Sequence, residues 1–423
     1  MRRRRTSSRA VIALACALVL AAAGCGRDSG ETEQAEGQQV AEGKATGELT
    51  VWAMGTEGEK LSVLAEDFMA DNPDAKVTVT AVPWDGAHNK IATAIAGGQT
   101  PDVSMLGTTW MGEFAKTGAL DVVPADLFSK GDFFEGAWDT GVVDGTSFAV
   151  PWYVETRLLY VNKEVAARAG VTKPTNWQEL KDAVTALQKE GGAQWGIYLQ
   201  PGQTGAWQTA MPFVWQNGGE VLDGDAFTLD SSEATGGLEY YGSFFADGLS
   251  SKDQLRGGEW EPQFASGAIG SFVSGPWHIS VLDELGAGDK FDLWPMPKGA
   301  SSASSFIGGS NLGVFKDSDN RDAAWKFVSY LMRPEVQVKW YQTVNDLPAV
   351  RSAWDDDVLS ADPMLAMFGD QLEDAKAPPS IATWEQVAAA IDGELERVAK
   401  GASSAADAAK AMQQKATSIG TGG

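Results

Sequence analysis

Short apolar strands alternate with amphipathic helices along most of the chain, and this alternation restricts its fold more than any other feature. Leu49–Ala53 is predicted as a strand, and the next apolar residues, Leu61, Leu64 and Phe68, share one face of a helix. Lys76–Val82 then alternates valine with threonine, as a second strand does. Such units joined by short loops predict an α/β fold with a mostly parallel sheet covered by helices.

The same pattern resumes in the middle of the chain and predicts a second α/β unit. Arg157–Asn162 and Trp195–Gln200 are predicted strands. Three threonines followed three residues later by Glu or Gln predict capping boxes at Thr56, Thr175 and Thr383, the last of which opens the final long helix. The chain is therefore expected to fold as two α/β units without internal repeats.

The N-terminus carries a basic start, an apolar run over Val11–Ala23 and small residues before Cys25. This pattern predicts a secretory signal peptide over residues 1–24 and a lipidated Cys25 at the start of the mature protein, with plain secretion as the alternative. The apolar run is too short to span a bilayer as a helix. Residues 25–46 are polar and lack aromatics, so they are predicted to form a flexible linker. The expected location is extracytoplasmic, with a lipid anchor to the cell membrane.

The composition is strongly acidic, with 57 Asp and Glu against 33 Lys and Arg and a formal net charge of −24. Such a surface repels phosphate backbones, which argues against nucleic acid as a partner. The only cysteines are Cys16 and Cys25, so no disulfide is expected in the folded body. Its stability must therefore come from packing.

Few residues that support metal or nucleophilic chemistry are available. His88 and His278 are the only histidines, so a zinc site built from His and Cys cannot be formed. The stretch 308–312, Gly-Gly-Ser-Asn-Leu, lacks the last glycine of a nucleophile elbow, and no GxxxxGK[ST] loop occurs. We therefore expect no metal and no cofactor. A carboxylate pair for glycan hydrolysis stays open as an alternative.

Many of the 16 tryptophans stand where a predicted strand or loop meets a helix. Ligands of open α/β sheets bind outside the carboxyl ends of the strands, and an indole there offers a flat face to a sugar ring. Carboxylates and arginine beside it would hydrogen-bond the hydroxyls. The candidate platforms are Trp84, Trp110, Trp152, Trp207, Trp277 and Trp384, with Glu57, Asp85, Glu155 and Arg157 as polar neighbours. Trp177 and Trp325 lie within helical apolar stripes and are expected in the core.

Several motifs in the same order resemble the extracellular solute-binding proteins of bacterial sugar importers, of the maltose-binding type. They include Thr-Pro-Asp-Val at 100–103, Phe-Ala-Val-Pro-Trp at 148–152, Gly-Pro-Trp at 275–277, Gly-Gly-Ser-Asn at 308–311 and Leu-Pro-Ala at 347–349. The resemblance implies a two-lobed clamp of type II whose chain crosses between lobes three times. The implied lobes comprise residues 47–151 with 300–348, and 152–299 with 349–420.

The resemblance also implies which positions contact the ligand. Glu57 and the Thr108, Thr109 and Trp110 loop would supply polar contacts, and Trp277 and Trp384 would be stacking platforms. Trp207 and Gln208 would lie in another contact loop. Gly308, Gly309 and Asn311 would let backbone approach the ligand closely.

The function implied by the resemblance is that of a carbohydrate receptor of an ABC importer. It would close on a mono- or oligosaccharide and deliver it to a membrane permease, while separate ATPase subunits hydrolyse the nucleotide. The protein would be a monomer that touches the membrane only through its lipid anchor, and it would not be an enzyme. Two alternatives remain: a receptor of the same fold for a polyamine or peptide, and a secreted glycan-active enzyme.

Overall fold

The computed structural model describes residues 37–256 and 258–422. The predicted signal peptide, Cys25 and the first part of the predicted linker lie outside them. The strands are β1 Gly47–Met54, β2 Ala75–Val82, β3 Val103–Gly107, β4 Val142–Val143, β5 Thr146–Ser147, β6 Val150–Thr156, β7 Leu158–Asn162, β8 Leu222–Asp223, β9 Ala226–Phe227, β10 Ser271–Ser274, β11 Phe291–Trp294, β12 Ser305–Val314, β13 Leu347–Pro348 and β14 Ala375–Lys376.

Helices cover the sheets and fill most of the chain between the strands. They are α1 Gly55–Lys60, α2 Ser62–Asp71, α3 Trp84–Gly97, α4 Met111–Lys116, α5 Glu135–Thr140, α6 Lys163–Ala169, α7 Trp177–Lys189, α8 Trp207–Gln216, α9 Ser232–Ala246, α10 Glu261–Ala265, α11 Trp277–Glu284, α12 Arg321–Leu331, α13 Pro334–Val344, α14 Asp357–Ser360, α15 Pro363–Leu372, α16 Trp384–Ala399 and α17 Ala405–Ile419. The predicted α/β composition is confirmed.

Two sheets organise the molecule. The larger has the order β13-β6-β12-β3-β1-β2, with β14 also paired to β12, and the smaller has the order β10-β7-β11. Strand β1 is parallel to β2 and β3, but β12 is antiparallel to β3 and β6, and β7 is antiparallel to both of its neighbours. The sheets are therefore more antiparallel than the predicted mostly parallel arrangement.

The chain passes directly from one sheet to the other between β6 and β7. Strand β6 lies in the larger sheet and β7 in the smaller one, and Arg157 alone separates them. No crossover helix intervenes between β6 and β7. The sequence predicted a strand at residues 157–162 and none at 150–156, so this direct connection was not predicted. Arg157 therefore marks the point where the two sheets meet.

Burial of large aromatic side chains defines the cores. Trp152, Trp325 and Trp340 are fully buried beneath the larger sheet, and Trp325 donates a hydrogen bond to Asp121. The prediction that Trp325 lies in the core is confirmed. Trp177 is partly buried and stacks on Tyr240 with ring centroids 4.1 Å apart.

The helix starts differ from the predicted capping boxes. Helix α1 begins at Gly55 and places Thr56 inside the helix, so Thr56 is not its cap. Asn176, not Thr175, caps α7: its side chain accepts a hydrogen bond from the backbone N–H of Glu179 at 3.0 Å. Asn is as good a cap as threonine or better, because its side-chain oxygen reaches the same donors.

The remaining local predictions are corrected at two places. Thr383 precedes α16, but its hydroxyl donates to the backbone oxygen of Gly420 and makes no side-chain cap, and α17 follows as the last helix. The predicted strand Trp195–Gln200 forms only isolated bridges, from Trp195 to Ile269 and from Tyr198 to Phe272. Ile269 lies just before β10 and Phe272 lies within it, and no continuous ladder forms.

The described part of the predicted linker is docked on the folded body, which corrects the expectation of flexibility up to residue 46. Arg321 donates from Nη2 to the backbone oxygen of Gln38 at 2.7 Å. The backbone N–H of Ala41 donates to Asp322 at 3.0 Å, and Ala45 is 1 % exposed. Polar composition predicts a solvated segment, but backbone groups can still be fixed by charged partners on a neighbouring helix.

Candidate ligand-binding site

A cavity of about 580 Å³ opens between the two sheets. Its volume falls within the range of pockets that hold small ligands. One wall comes from β6 of the larger sheet and another from the residues after β10 of the smaller sheet. The lining residues are Glu57, Trp84, Tyr153, Val154, Glu155, Pro276, Trp277, Ser280, Gly309, Val344, Asn345, Asp346 and Leu347.

Trp84 forms one aromatic wall of the cavity. It is the first residue of α3, separated from β2 by Pro83 alone, and is 39 % exposed. Gly55, at φ +54°, makes room for the ring, because an added Cβ would lie 2.8 Å from the indole Nε1. Trp110 packs edge-on against Trp84 with ring centroids 5.9 Å apart. Trp84 is thus held in place while part of its surface stays open.

Trp277 forms the second aromatic wall. It is the first residue of α11, shortly after β10, and is 41 % exposed. The guanidinium of Arg157 lies 4.5 Å from its ring centroid, a cation–π contact that fixes the indole. Only a few large hydrophobic side chains are exposed in the described residues, and both of the tryptophans among them line this cavity.

Arg157 is held at the junction of the two sheets by polar contacts on both sides. Its Nη2 donates to Glu155 Oε1 at 3.3 Å and to Gln208 Oε1 at 3.0 Å. Two atoms of this network, Glu155 Oε2 and Arg157 Nε, are buried without a hydrogen-bond partner among the described residues. Buried polar atoms are usually paired, so unpaired ones beside a cavity are suited to bind a ligand.

Three carboxylates line the cavity. Burial raises the pKa of Glu57 and of Glu155, and the positive charge of Arg157 partly opposes the shift at Glu155. Burial and the nearby charge of Glu57 raise the pKa of Asp346 well above its usual range, although Trp340 Nε1 donates to Asp346 at 3.0 Å. These carboxylates can accept hydrogen bonds from ligand hydroxyls or amines.

The backbone of β12 approaches β6 closely at Gly309. This residue has φ +123°, and an added Cβ would lie 2.1 Å from the carbonyl oxygen of Tyr153. The ladder between β12 and β6 shifts register just after it, between Ser310 and Asn311. Only glycine fits this conformation, and its backbone reaches the cavity wall.

The structure brings five of the sequence-predicted residues to the cavity and leaves the others outside its lining. Those at the cavity are Glu57, Trp84, Glu155, Trp277 and Gly309. Arg157 and Gln208 adjoin it through the network above, and an added Cβ on Gly308 would lie 2.7 Å from Glu155 Oε1. Outside the lining are exposed Asp85, half-buried Thr108, Thr109 and Trp110, and buried Trp152, Trp207, Asn311 and Trp384.

Three of the predicted platforms have no free ring face in this structure. Trp152 stacks on Trp340 with centroids 5.0 Å apart, and Trp207 packs edge-on against Trp384 at 4.9 Å. For Trp152 the cause is the alternation of a strand: Tyr153 and Glu155 point to the cavity side, and Trp152 points to the core. Asn311 is likewise buried, and hydrogen-bonds Thr140.

Several lining residues were not predicted from the sequence, among them Tyr153, Ser280, Asn345 and Asp346. Tyr153 would have followed from recognising the strand over residues 150–156. Asn345 adopts φ +64° at the end of α13, and asparagine after a helical stretch is a known helix-end signal. That turn carries Asp346 into the cavity just before β13.

A serine, histidine and glutamate also lie close together, behind Trp277. Ser274 Oγ lies 2.7 Å from His278 Nδ1, and His278 Nε2 lies 3.8 Å from Glu261 Oε1. All three are buried, none lines the cavity, and burial lowers the pKa of His278 to about 4. This arrangement fits an internal hydrogen-bonded group of the aromatic core. The described residues contain no cluster of three or more His, Cys, Asp or Glu suited to a metal ion, and none of their helices is long and apolar enough to cross a bilayer.

Comparison with known proteins agrees with this architecture. The sugar-binding protein MalE from Xanthomonas citri superposes with a TM-score of 0.83 at 31 % identity, over 88 % of this chain and 97 % of its own. The cyclic α-maltosyl-1,6-maltose-binding protein from Arthrobacter globiformis gives a TM-score of 0.79 at 25 % identity, over 90 % of this chain and 100 % of its own. The fold is thus the two-lobed α/β clamp of these proteins.

The sequence comparisons point the same way. The diacetylchitobiose-binding protein of Streptomyces coelicolor is 32 % identical over 331 residues, which are 74 % of each chain. The family model of the bacterial extracellular solute-binding proteins matches residues 53–338. The chain therefore belongs to the family of bacterial extracellular solute-binding proteins.

Proposed function

We propose that this protein is the extracellular receptor of an ABC importer and binds a mono- or oligosaccharide in the cavity between its two sheets. The observation that carries the proposal is that the two exposed tryptophans of the described chain, Trp84 and Trp277, both face this cavity. Its similarity to sugar-binding proteins of known structure supports the same ligand class.

The cavity offers what a sugar needs. Indole surfaces pack against the C–H faces of a pyranose, and directional partners satisfy its hydroxyls. Glu57, Glu155 and Asp346 supply acceptors, and the Arg157 network adds a donor. Because the walls belong to different sheets, a ligand that contacts both favours the conformation in which they are close together. A membrane permease that recognises this conformation would receive the ligand.

The lobes are proposed as residues 47–151 with 300–348, and 152–299 with 349–420. Most strands of the larger sheet fall in the first set, and the whole smaller sheet falls in the second. Two strands qualify these boundaries: β6 runs through to Thr156, and β14 at Ala375–Lys376 pairs with β12. The segments near 150–154, 297–301 and 348–352 are the proposed crossings.

The protein is proposed to act as a monomeric binding protein outside the cytoplasm, anchored through Cys25 and without catalytic activity or cofactor. Its extracellular location agrees with the family. ATP hydrolysis would belong to separate ATPase subunits, which act on the permease. Lipidation is tested by mass spectrometry of the membrane-extracted protein: a diacylglyceryl mass at Cys25 supports the anchor, and an unmodified or absent cysteine contradicts it.

Titration of the protein lacking residues 1–25 with a saccharide panel, followed by tryptophan fluorescence, tests the ligand class. The panel contains glucose, maltose, trehalose, cellobiose, xylobiose and longer oligomers. We expect saturable binding of one saccharide at micromolar concentration or tighter, with no product formed. Binding of polyamines or peptides without any saccharide would contradict the proposal, and catalytic release of reducing sugar would indicate a glycan-active enzyme.

A further inference from the structure

The charges around the cavity are unbalanced. Three of the lining residues, Glu57, Glu155 and Asp346, carry carboxyl groups, and the lining contains no lysine, arginine or histidine. Arg157 contacts two residues of the lining, Glu155 and the ring of Trp277, and also donates a hydrogen bond to Gln208. Its charge is therefore committed to one of the three carboxylates.

Glu57 and Asp346 are left without a cation. Neither forms an ion pair with any residue that the structure describes, and the charge of Glu57 contributes, after burial, to the raised pKa of Asp346. Tyr153 lines the cavity together with both carboxylates. A tyrosine hydroxyl donates a single proton, so it cannot neutralise this pair.

Such a pair is costly in a partly buried cavity unless a positive charge joins it. Two carboxylates that share a site favour protonation of one of them, and a nearby cation removes that penalty. The hydrogen bonds of an ammonium group to a carboxylate are about twice as strong as neutral ones. The faces of Trp84 and Trp277 are also electron-rich and attract cations.

We propose that the preferred ligand of this cavity is a saccharide that carries a protonated amine, which the carboxylates of Glu57 and Asp346 bind together. The inference rests on the proposed function and specifies its substrate class. The indoles hold the sugar ring, and the carboxylate pair selects the basic group. A neutral sugar leaves the pair without a positive charge and binds more weakly.

Matched ligand pairs test this proposal by calorimetry on the folded protein. Each neutral sugar is compared with the counterpart in which amines replace the hydroxyls at carbon 2: glucose with glucosamine, cellobiose with the glucosamine dimer, and maltose with its amino counterpart. We expect at least one amine to bind ten-fold or more tightly than its neutral partner. Raising the salt concentration should reduce this difference, because it screens charge.

Two substitutions at the carboxylate pair and one control show whether the pair causes the preference for the amine. Glu57→Gln and Asp346→Asn should each reduce the amine preference to below threefold. Glu59→Gln removes the same charge from an exposed residue of the same helix and should preserve the preference. Because both native carboxyls resist ionisation, their neutral variants are expected to fold, which thermal unfolding verifies.

The outcomes separate this inference from the function on which it rests. A preference below threefold in every pair overturns the inference, as does a preference that survives both substitutions at the carboxylate pair. Binding of neutral sugars alone also overturns it and leaves the sugar-receptor function standing. If no saccharide binds, with or without an amine, the inference and the proposed function both fail.

Discussion

Replacing Trp277 with alanine should remove a large part of the binding energy while leaving the fold intact. The residue is 41 % exposed, and it lines the cavity together with Trp84. A fully buried tryptophan removes up to about 250 Å² from water, so about 100 Å² of this side chain remains for a ligand to cover. At about 25 cal/mol per Å², that surface contributes up to about 2.5 kcal/mol, or roughly 60-fold in affinity.

Trp384 provides the contrasting case. It is 1 % exposed and packs edge-on against Trp207, so it has almost no surface left for a ligand. Trp384→Phe should lower the free energy of unfolding by about 1–3 kcal/mol through the cavity it leaves, while affinity stays within threefold. Trp277→Ala should show the opposite pattern, with a large loss of affinity and little loss of stability.

Calorimetric titration gives the affinities, and urea denaturation gives the stabilities of both variants and of the wild-type protein. The ligand is the saccharide that the panel identifies. An affinity within threefold of the wild type in Trp277→Ala would refute the assignment of this indole as a ligand platform. A loss of affinity in Trp384→Phe as large as in Trp277→Ala would refute the distinction drawn from burial.

Three further changes test the local structure. Gly309→Ala should lower the free energy of unfolding by about 1–3 kcal/mol in urea denaturation, because φ is +123° there. Gly393→Ala should raise it by up to about 1 kcal/mol, because this residue lies in a helix and an added Cβ would have nothing within 4 Å. Equal effects of the two substitutions would contradict the strain argument. In the wild type the folded pKa of His278, about 4, lies below the usual 6.5, so stability is lost as pH falls from 6.5 towards 4. His278→Gln should remove up to about 3 kcal/mol of this loss. The same difference in the free energy of unfolding between pH 7.5 and pH 4.5 in the variant and the wild type would contradict this. Arg157 donates a hydrogen bond to Gln208 at 3.0 Å, so Gln208→Ala should release the guanidinium and weaken saccharide binding about 3- to 10-fold in calorimetry. Unaltered affinity would show that this contact does not position the arginine.

The sequence predicted the elements of the fold better than it predicted their pairing. Hydrophobic periodicity located β1, β2 and β7 to within about two residues. Periodicity reports burial along one element and carries no information on which strand pairs with which. The antiparallel pairing of β12 with β3 and β6, and of β7 with both of its neighbours, therefore had no signal that a residue pattern could supply.

The candidate site shows the same division at the level of single residues. Four of the six candidate tryptophans begin a helix, as the sequence predicted: Trp84, Trp207, Trp277 and Trp384. Position did not tell which of them keep a free face. That depends on the neighbours brought from distant parts of the chain, as when Trp207 and Trp384 cover one another. An indole serves equally well as a core residue and as a platform, so composition alone cannot separate the two roles.

The position of Arg157 explains why the charge of the cavity could not be predicted from the sequence either. It stands alone between β6 and β7, and from there it reaches Glu155 in the larger sheet and the ring of Trp277 beside the smaller one. An arginine and three acidic residues scattered over the chain have no fixed relation until the sheets are placed. Once they are, the arginine pairs with one carboxylate and leaves Glu57 and Asp346 facing the same cavity. The charge of the cavity is therefore set by the connection between the sheets as much as by the residues that line it.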